Sequence, residues 1–203
     1  MRILGLDEAG RGCVIGPLVV GAFCHEGDQA QLRQAGADDS KALSAAKRAA
    51  VHARLATLGT PRVIEIPPSR IDEGNINELE IEAFLAHVAY FRPNRVYLDA
   101  PVNPRGIPAL RARLQRGSGV ADWVVEPKAD ATYPVVGAAS IAAKLCRDSH
   151  IEAREGVGSG YPSDPVTRAH LLGFIQRGEP FPAYVRTRWA TLDNLRQGQL
   201  FGG

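Results

Sequence analysis

An apolar run, Arg2-Ile3-Leu4-Gly5-Leu6, ends in two adjacent carboxylates, Asp7 and Glu8, and after Ala9 comes the tripeptide Gly10-Arg11-Gly12. A strand that closes on two acids puts negative charge at its carboxyl end, where α/β sheets hold their ligands. Such charge calls for a cation. The two glycines let backbone N–H groups approach a ligand with no Cβ in the way, and Arg11 between them offers a planar fork for phosphate or ribose oxygens.

The pattern recurs downstream. Arg95-Val96-Tyr97-Leu98 is a short apolar strand that delivers Asp99 at its end, and Asp130 follows a third strand, Trp123-Val124-Val125, within Lys128-Ala129-Asp130. If the strand ending at Asp7 and the strand ending at Asp99 lie side by side and parallel, then Asp7, Glu8 and Asp99 meet, and Asp130 joins them from the helix that follows. Hard divalent cations take oxygen ligands, and Mg²⁺ uses one or two carboxylates while keeping waters and phosphate oxygens. Four carboxylates in one pocket can therefore hold two metals.

The surrounding elements must make that arrangement. Val14 to Cys24 reads as a strand bent at Gly16-Pro17, forming a hairpin with the first strand. Ser44 caps a helix with Val51, Leu55 and Leu58 on its buried face, stopped by Gly59. Arg62 to Ile66 alternates as a strand. Asn77 with Glu80 predicts a capping box for a helix burying Ile81, Phe84, Leu85, Val88 and Phe91. Pro108 opens a helix that Gly117 closes. Val135 to Ile151 predicts a helix with Ala138, Ile141, Ala142 and Leu145 inward and Ser140, Lys144 and Arg147 on an opposite, positive face. Asp164-Pro165 starts a helix ending near Gly178, and Trp189, Leu192 and Leu195 mark a last short one. The expected fold class is α/β: a mixed five-stranded sheet flanked by helices, with a small C-terminal helical region.

Composition bounds the rest. A chain of 203 residues with 45% hydrophobic side chains buries one good core. The net charge of +2 is close to neutral, so any nucleic-acid site must come from local clustering of Lys and Arg. Cys13, Cys24 and Cys146 are odd in number and lack CxxC or Cys/His spacing, which argues against disulfides and zinc and fits a reducing cytoplasm. The five histidines show no metal spacing. No run reaches about 18 apolar residues, so no membrane span or signal segment is expected.

Six segments, in order, resemble ribonuclease HII: Asp7-Glu8-Ala9-Gly10-Arg11-Gly12, Asp39-Ser40-Lys41, Leu98-Asp99, Lys128-Ala129-Asp130-Ala131, Ala138-Ala139-Ser140-Ile141-Ala142-Ala143-Lys144 and Gly158-Ser159-Gly160-Tyr161-Pro162. Tyr133-Pro134-Val135-Val136 and Tyr161-Pro162-Ser163-Asp164-Pro165 look more like the archaeal and eukaryotic branch. The resemblance implies an RNase H-like catalytic core over 1–155 and a C-terminal helical, substrate-binding extension over 156–203. It also implies a two-metal endonuclease, using Mg²⁺ or Mn²⁺, that cuts the RNA strand of RNA/DNA hybrids and incises beside a single ribonucleotide in duplex DNA, leaving 5′-phosphate and 3′-hydroxyl ends. By position Asp7, Glu8, Asp99 and Asp130 match the family's catalytic, metal-binding carboxylates. Gly10, Arg11 and Gly12 match the turn whose backbone contacts the 2′-hydroxyl, and Tyr161 matches the tyrosine that stacks on the sugar beyond the scissile phosphate.

Lys41, Lys144 and Arg147 are read as phosphate contacts. Each assignment has a plainer competitor: an acidic pair at a strand end taken alone is an exposed turn, a single Asp a helix cap, and Lys144 and Arg147 an ordinary solvated face. Two rival functions remain open: another RNase H-fold metal-dependent nuclease, betrayed by indifference to ribonucleotides, and a hybrid-binding protein that does not cut. The tail Gln197-Gly198-Gln199-Leu200-Phe201 shares the Gln-x-x-aliphatic start of sliding-clamp-binding peptides without the aromatic pair that should follow, so a frayed end is expected there. The expected state is a monomer.

Overall fold

The chain is described by a computed structural model over residues 1–37 and 44–200, with side chains through Gln197. Lys41 and the rest of the Asp39-Ser40-Lys41 segment lie outside the described residues. In chain order the elements are β1 (Arg2–Ala9), β2 (Leu18–Glu26), α1 (Gln29–Gln34), α2 (Ala45–Leu55), β3 (Gly59–Ile66), α3 (Pro68–Glu73), α4 (Ile76–Phe91) and β4 (Arg95–Asp99). After a 3-10 turn at Pro104–Gly106 come α5 (Ile107–Ser118), β5 (Asp122–Glu126), α6 (Ala129–Thr132), α7 (Pro134–Glu152), α8 (Pro165–Arg177) and α9 (Ala190–Leu200).

The five strands form one sheet in the order β3-β2-β1-β4-β5. β1 pairs antiparallel with β2, with Asp7 opposite Gly21, and parallel with β4, with Leu6 beside Leu98. β5 continues the parallel side, so that Asp99 lies beside Glu126. This is the expected mixed sheet. β3 is an edge strand, which is where Pro61, lacking an N–H, is tolerated. β2 begins at Leu18, not at Val14: Gly16 adopts φ +90° and Pro17 has no donor for the ladder.

Two compact units emerge. The first takes Met1–Ala9, Val19–Ile64 and Glu80–Cys146; the second takes Gly10–Leu18, Glu65–Leu79 and Arg147–Gly203. In the first, the N-terminal half of α7 is buried all round from Pro134 to Ala143. It lies against the sheet through glycines: a Cβ on Gly5 would overlap the Val135 carbonyl, and one on Gly21 would meet Ala139 and the Ala143 methyl. Phe23, Leu55, Val135, Val136 and Ile141 pack in this core. In the second unit Val14, Ile15, Val157, Leu171, Val185 and Leu192 form a separate cluster.

Local signals are mostly obeyed and sometimes displaced. Ser44 caps α2 by accepting from Lys47 N at 3.4 Å, and Asp164 and Gly178 bound α8 as expected. The start of α4 lies ahead of the predicted capping box: the Asn75 side chain accepts from Asn77 N at 2.9 Å, and Glu80, one turn further in, is buried. α5 ends at Gly119, which is left-handed at φ +71°, while Gly117 stays helical where Leu85 packs over it.

His87 is fully buried under the sheet. Its Nε2–H donates to the Val20 carbonyl at 3.1 Å and its Nδ1 accepts from the Arg62 guanidinium at 2.9 Å, since a guanidinium cannot accept. Burial pulls its pKa down to about 4. Because the folded pKa lies below the unfolded value, the unfolded chain binds the extra proton first, and stability falls as pH drops from about 6.5 toward 4. The expected loss is on the order of 3 kcal/mol, at about 1.4 kcal/mol per pKa unit. Denaturant melts of wild type and His87→Gln across that range should show the variant with a flatter profile; parallel profiles would contradict the buried neutral imidazole.

Candidate active site

Asp7, Asp99 and Asp130 come together in the first unit. One carboxylate oxygen from each lies within 4.8 Å of the others. β1 brings Asp7 to the carboxyl end of the sheet, and parallel β4 brings Asp99 to the same end. Asp130 arrives differently: Lys128 takes a left-handed conformation, φ +59°, that turns the chain into the single turn of α6. The Ala129 N–H donates to Asp99 Oδ1 at 3.3 Å, tying α6 to β4.

Asp7 is 5% exposed, while its neighbour Glu8 is partly exposed and its carboxylate is not among the three that lie within 4.8 Å of one another. Asp7 Oδ1 accepts the Glu8 N–H at 2.8 Å. Burial first, then the charge of Glu8 and that of Asp99, push the Asp7 carboxyl well above the ordinary carboxylate range. The Ser140 hydroxyl, buried on α7 without a hydrogen bond of regular geometry, lies toward Asp7 and partly offsets that rise. A hard divalent cation fits this donor set: oxygen ligands only, three of them converging, with mutual repulsion that a cation would relieve.

In the second unit Gly10-Arg11-Gly12 forms a turn closed by Cys13 N donating to the Gly10 carbonyl at 3.2 Å. Gly10 requires its lack of a side chain: φ is +84° and a Cβ would stand 2.8 Å from the Pro17 carbonyl. Gly12 is different. A Cβ there would meet only Tyr161 Cε1, at 3.9 Å, so packing within the protein does not demand glycine.

Tyr161 is exposed, at 36%, on a loop held by its own hydrogen bonds. Asp164 accepts from Ser159 N at 2.5 Å and from Val166 N at 2.9 Å, which holds its pKa down to about 2. Thr167 Oγ1 donates to the Val157 carbonyl at 2.7 Å and accepts from Gly160 N at 3.0 Å. The Gly160 carbonyl in turn accepts from Val14 N and Ile15 N at 2.9 and 3.2 Å. Arg147 belongs to this loop as well: its guanidinium carbon is 5.3 Å from the Tyr161 ring centre, and it reaches the Ser159 carbonyl at 3.2 Å and Asp148 at 2.9 Å.

Of the residues singled out in the sequence, the three aspartates converge, and Gly10, Gly12, Arg147 and Tyr161 gather in the second unit. Arg11 extends away to hydrogen-bond the Asn77 side chain. Lys144 is partly buried on α7, one turn beyond Ser140. The predicted polar face of α7 is corrected at Ser140, which is fully buried, because this helix is covered on every side over its first turns. Two features were not anticipated from the sequence: the Asp164 and Thr167 clamp, and Arg186, which is buried and donates to the Gly10 and Arg11 carbonyls. Asp164 is legible as a helix cap; an arginine between Val185 and Thr187 carries no signal of where it points.

Among the described residues no helix is long and apolar enough to cross a membrane. The family model described as Ribonuclease HII matches residues 4–192. Ribonuclease HII of Archaeoglobus fulgidus is 40% identical over 206 residues, covering 97% of each chain. A chain of the solved PCNA:RNase HII complex from Archaeoglobus fulgidus superposes with a TM-score of 0.87 at 39% identity, over 96% of this chain and 97% of that one. Ribonuclease H2 from Pyrococcus horikoshii gives a TM-score of 0.88 at 37% identity, over 97% and 98%. These relatives are archaeal, in line with the Tyr-Pro motifs. With the sheet order, the converging aspartates and a match over nearly the whole length in agreement, the chain belongs to the ribonuclease HII family of nuclease hydrolases.

Proposed function

We propose that this protein is an endoribonuclease that hydrolyses the RNA strand of RNA/DNA hybrids and incises duplex DNA 5′ to an embedded ribonucleotide, leaving 5′-phosphate and 3′-hydroxyl ends. The observation that carries this reading is the convergence of Asp7, Asp99 and Asp130 within 4.8 Å at the carboxyl end of β1 and β4. Those three, with Glu8, would hold two divalent ions, Mg²⁺ or Mn²⁺, which when bound supply a more acidic attacking water and neutralise charge at the departing 3′ oxygen. The protein's own residues fix geometry. The Glu8 N–H orients Asp7, and the Ala129 N–H orients Asp99.

Phosphates carry no mark of RNA, so discrimination needs a contact to the 2′-hydroxyl. The turn at Gly10, Arg11 and Gly12 fits that role because Gly12 is bare for no internal packing reason. Tyr161, with Arg147 against its ring, would stack on the sugar beyond the cut, and Lys41 and Lys144 would meet phosphates. In this reading residues 1–155 form the catalytic core, 156–203 are an extension that adds substrate contacts through Tyr161, and the protein acts as a monomer. A sliding clamp as partner would have to use the tail from Gln197, whose side chains beyond that residue lie outside the described ones.

Three labelled duplexes test this: a long hybrid, a DNA duplex with one ribonucleotide, and an all-DNA control. The first two should be cut in Mg²⁺ or Mn²⁺ and not with EDTA, and the third should stay intact. Gly12→Ala should keep the wild-type Tm and lose on the order of tenfold at the single ribonucleotide, the worth of about one hydrogen bond. Equal cutting of the all-DNA control would overturn the reading.

A further inference from the structure

We propose that Arg186 is a positioning residue for ribonucleotide recognition, aiming the backbone amides of the Gly10-Arg11-Gly12 turn; this rests on the reading of that turn as the contact to the 2′-hydroxyl. Among the described residues Arg186 is the largest fully buried side chain. Its guanidinium donates to three backbone carbonyls of one segment: Nη2 to Gly10 at 2.6 Å, Nη1 to Arg11 at 2.9 Å and Nε to Gly16 at 3.0 Å. Carbonyls of a turn ordinarily take hydrogen bonds from water. Burying a guanidinium to serve them is expensive in desolvation, so the gain must lie in fixing their direction.

That direction sets the amides. In a trans peptide the C=O and the following N–H point opposite ways, so a Gly10 carbonyl held toward Arg186 turns the Arg11 N–H away from it, and an Arg11 carbonyl so held turns the Gly12 N–H away. Two neighbouring donors are thereby presented on the face opposite the arginine. Only a planar fork reaches all three oxygens; a lysine keeps the charge but donates from a single nitrogen. The clamp is itself braced. Arg186 N donates to the Val14 carbonyl at 2.9 Å, Val185 bridges Ile15, and the guanidinium lies 5.0 Å from the Trp189 ring centre. Asp72 accepts from Thr187 N at 2.6 Å and from Arg188 N at 3.2 Å, anchoring the next residues.

The test measures affinity, by fluorescence anisotropy in Ca²⁺, for two duplexes that differ only in one ribonucleotide. Ca²⁺ takes the same oxygen ligands with looser geometry and slows cleavage during the measurement. Wild type should prefer the ribonucleotide duplex. Arg186→Gln and Arg186→Lys should each lose about tenfold of that preference while binding the all-DNA duplex as wild type does, the loss of about one well-aimed hydrogen bond. Should Arg186→Gln fail to fold, Arg186→Lys, with its buried charge retained and its Tm checked, supplies the readout. A folded variant that keeps the full preference overturns the positioning role. A wild type with no preference overturns the reading of the turn, and the proposal with it.

Discussion

Asp7→Asn should cut neither a hybrid nor a single-ribonucleotide duplex at a measurable rate, a loss of about 10³-fold or more, while remaining folded. Asparagine keeps the shape of the side chain and can still accept the Glu8 N–H, so the local backbone has no reason to move. What it removes is one of three converging carboxylates, and several kcal/mol of charge stabilisation converts at about 1.4 kcal/mol per factor of ten. The stability prediction runs the other way. In metal-free solution the buried Asp7 carboxyl is held against burial and against the charges of Glu8 and Asp99, so its neutral isostere should raise Tm. Adding Mn²⁺ should raise the Tm of wild type, by mass action, and leave the variant nearly unmoved. Single-turnover cleavage and thermal melts with and without Mn²⁺ check both halves. A variant that still cuts well would remove Asp7 from the mechanism.

Gly5→Ala should be among the most damaging single methyl groups this chain could receive. The new Cβ would overlap the Val135 carbonyl and crowd Val136 N at 2.7 Å, and both are backbone atoms that cannot rotate aside. α7 would have to lift from β1 at the point where the sheet supports Asp7. Overpacking that displaces backbone costs on the order of 3 kcal/mol, which for a chain of this size lowers Tm by about 10 °C. Gly137 is the counterpart on the helix side, since a Cβ there would overlap the Ala37 carbonyl. Gly12→Ala is the contrast, expected to spare stability and impair cleavage. A Gly5→Ala protein with wild-type Tm would mean the helix and sheet are less closely packed than the structure has them.

The parts of the fold legible in the sequence are those with a local cause. Arg95 to Asp99 and Asp122 to Glu126 are short apolar strands between turn signals, and Asp164 with Gly178 brackets α8 through a cap at each end. Asp7 and Asp99 are legible because each closes such a strand, and Asp130 because it follows one closely. α1, α3 and α6 are not, because four to six residues are too few to display a helical period. Ser140 falls on the solvated face of an amphipathic stripe only if the helix lies at ordinary depth, whereas glycines in β1 and β2 let α7 sink until it is covered on all sides. Arg186 is beyond reach for a different reason. Its partners are 170 to 176 residues away in the chain, and no spacing rule connects them.

The most direct measurement maps the cut in a DNA duplex carrying one ribonucleotide, in Mg²⁺, and identifies the new ends. A single nick is predicted on the 5′ side of the ribonucleotide, with a 3′-hydroxyl on the upstream DNA and a 5′-phosphate on the ribonucleotide, and no nick in the all-DNA duplex. A cut on the 3′ side leaving a cyclic phosphate would mean that the 2′-hydroxyl itself attacks, and would contradict water activation by metals held on Asp7, Asp99 and Asp130.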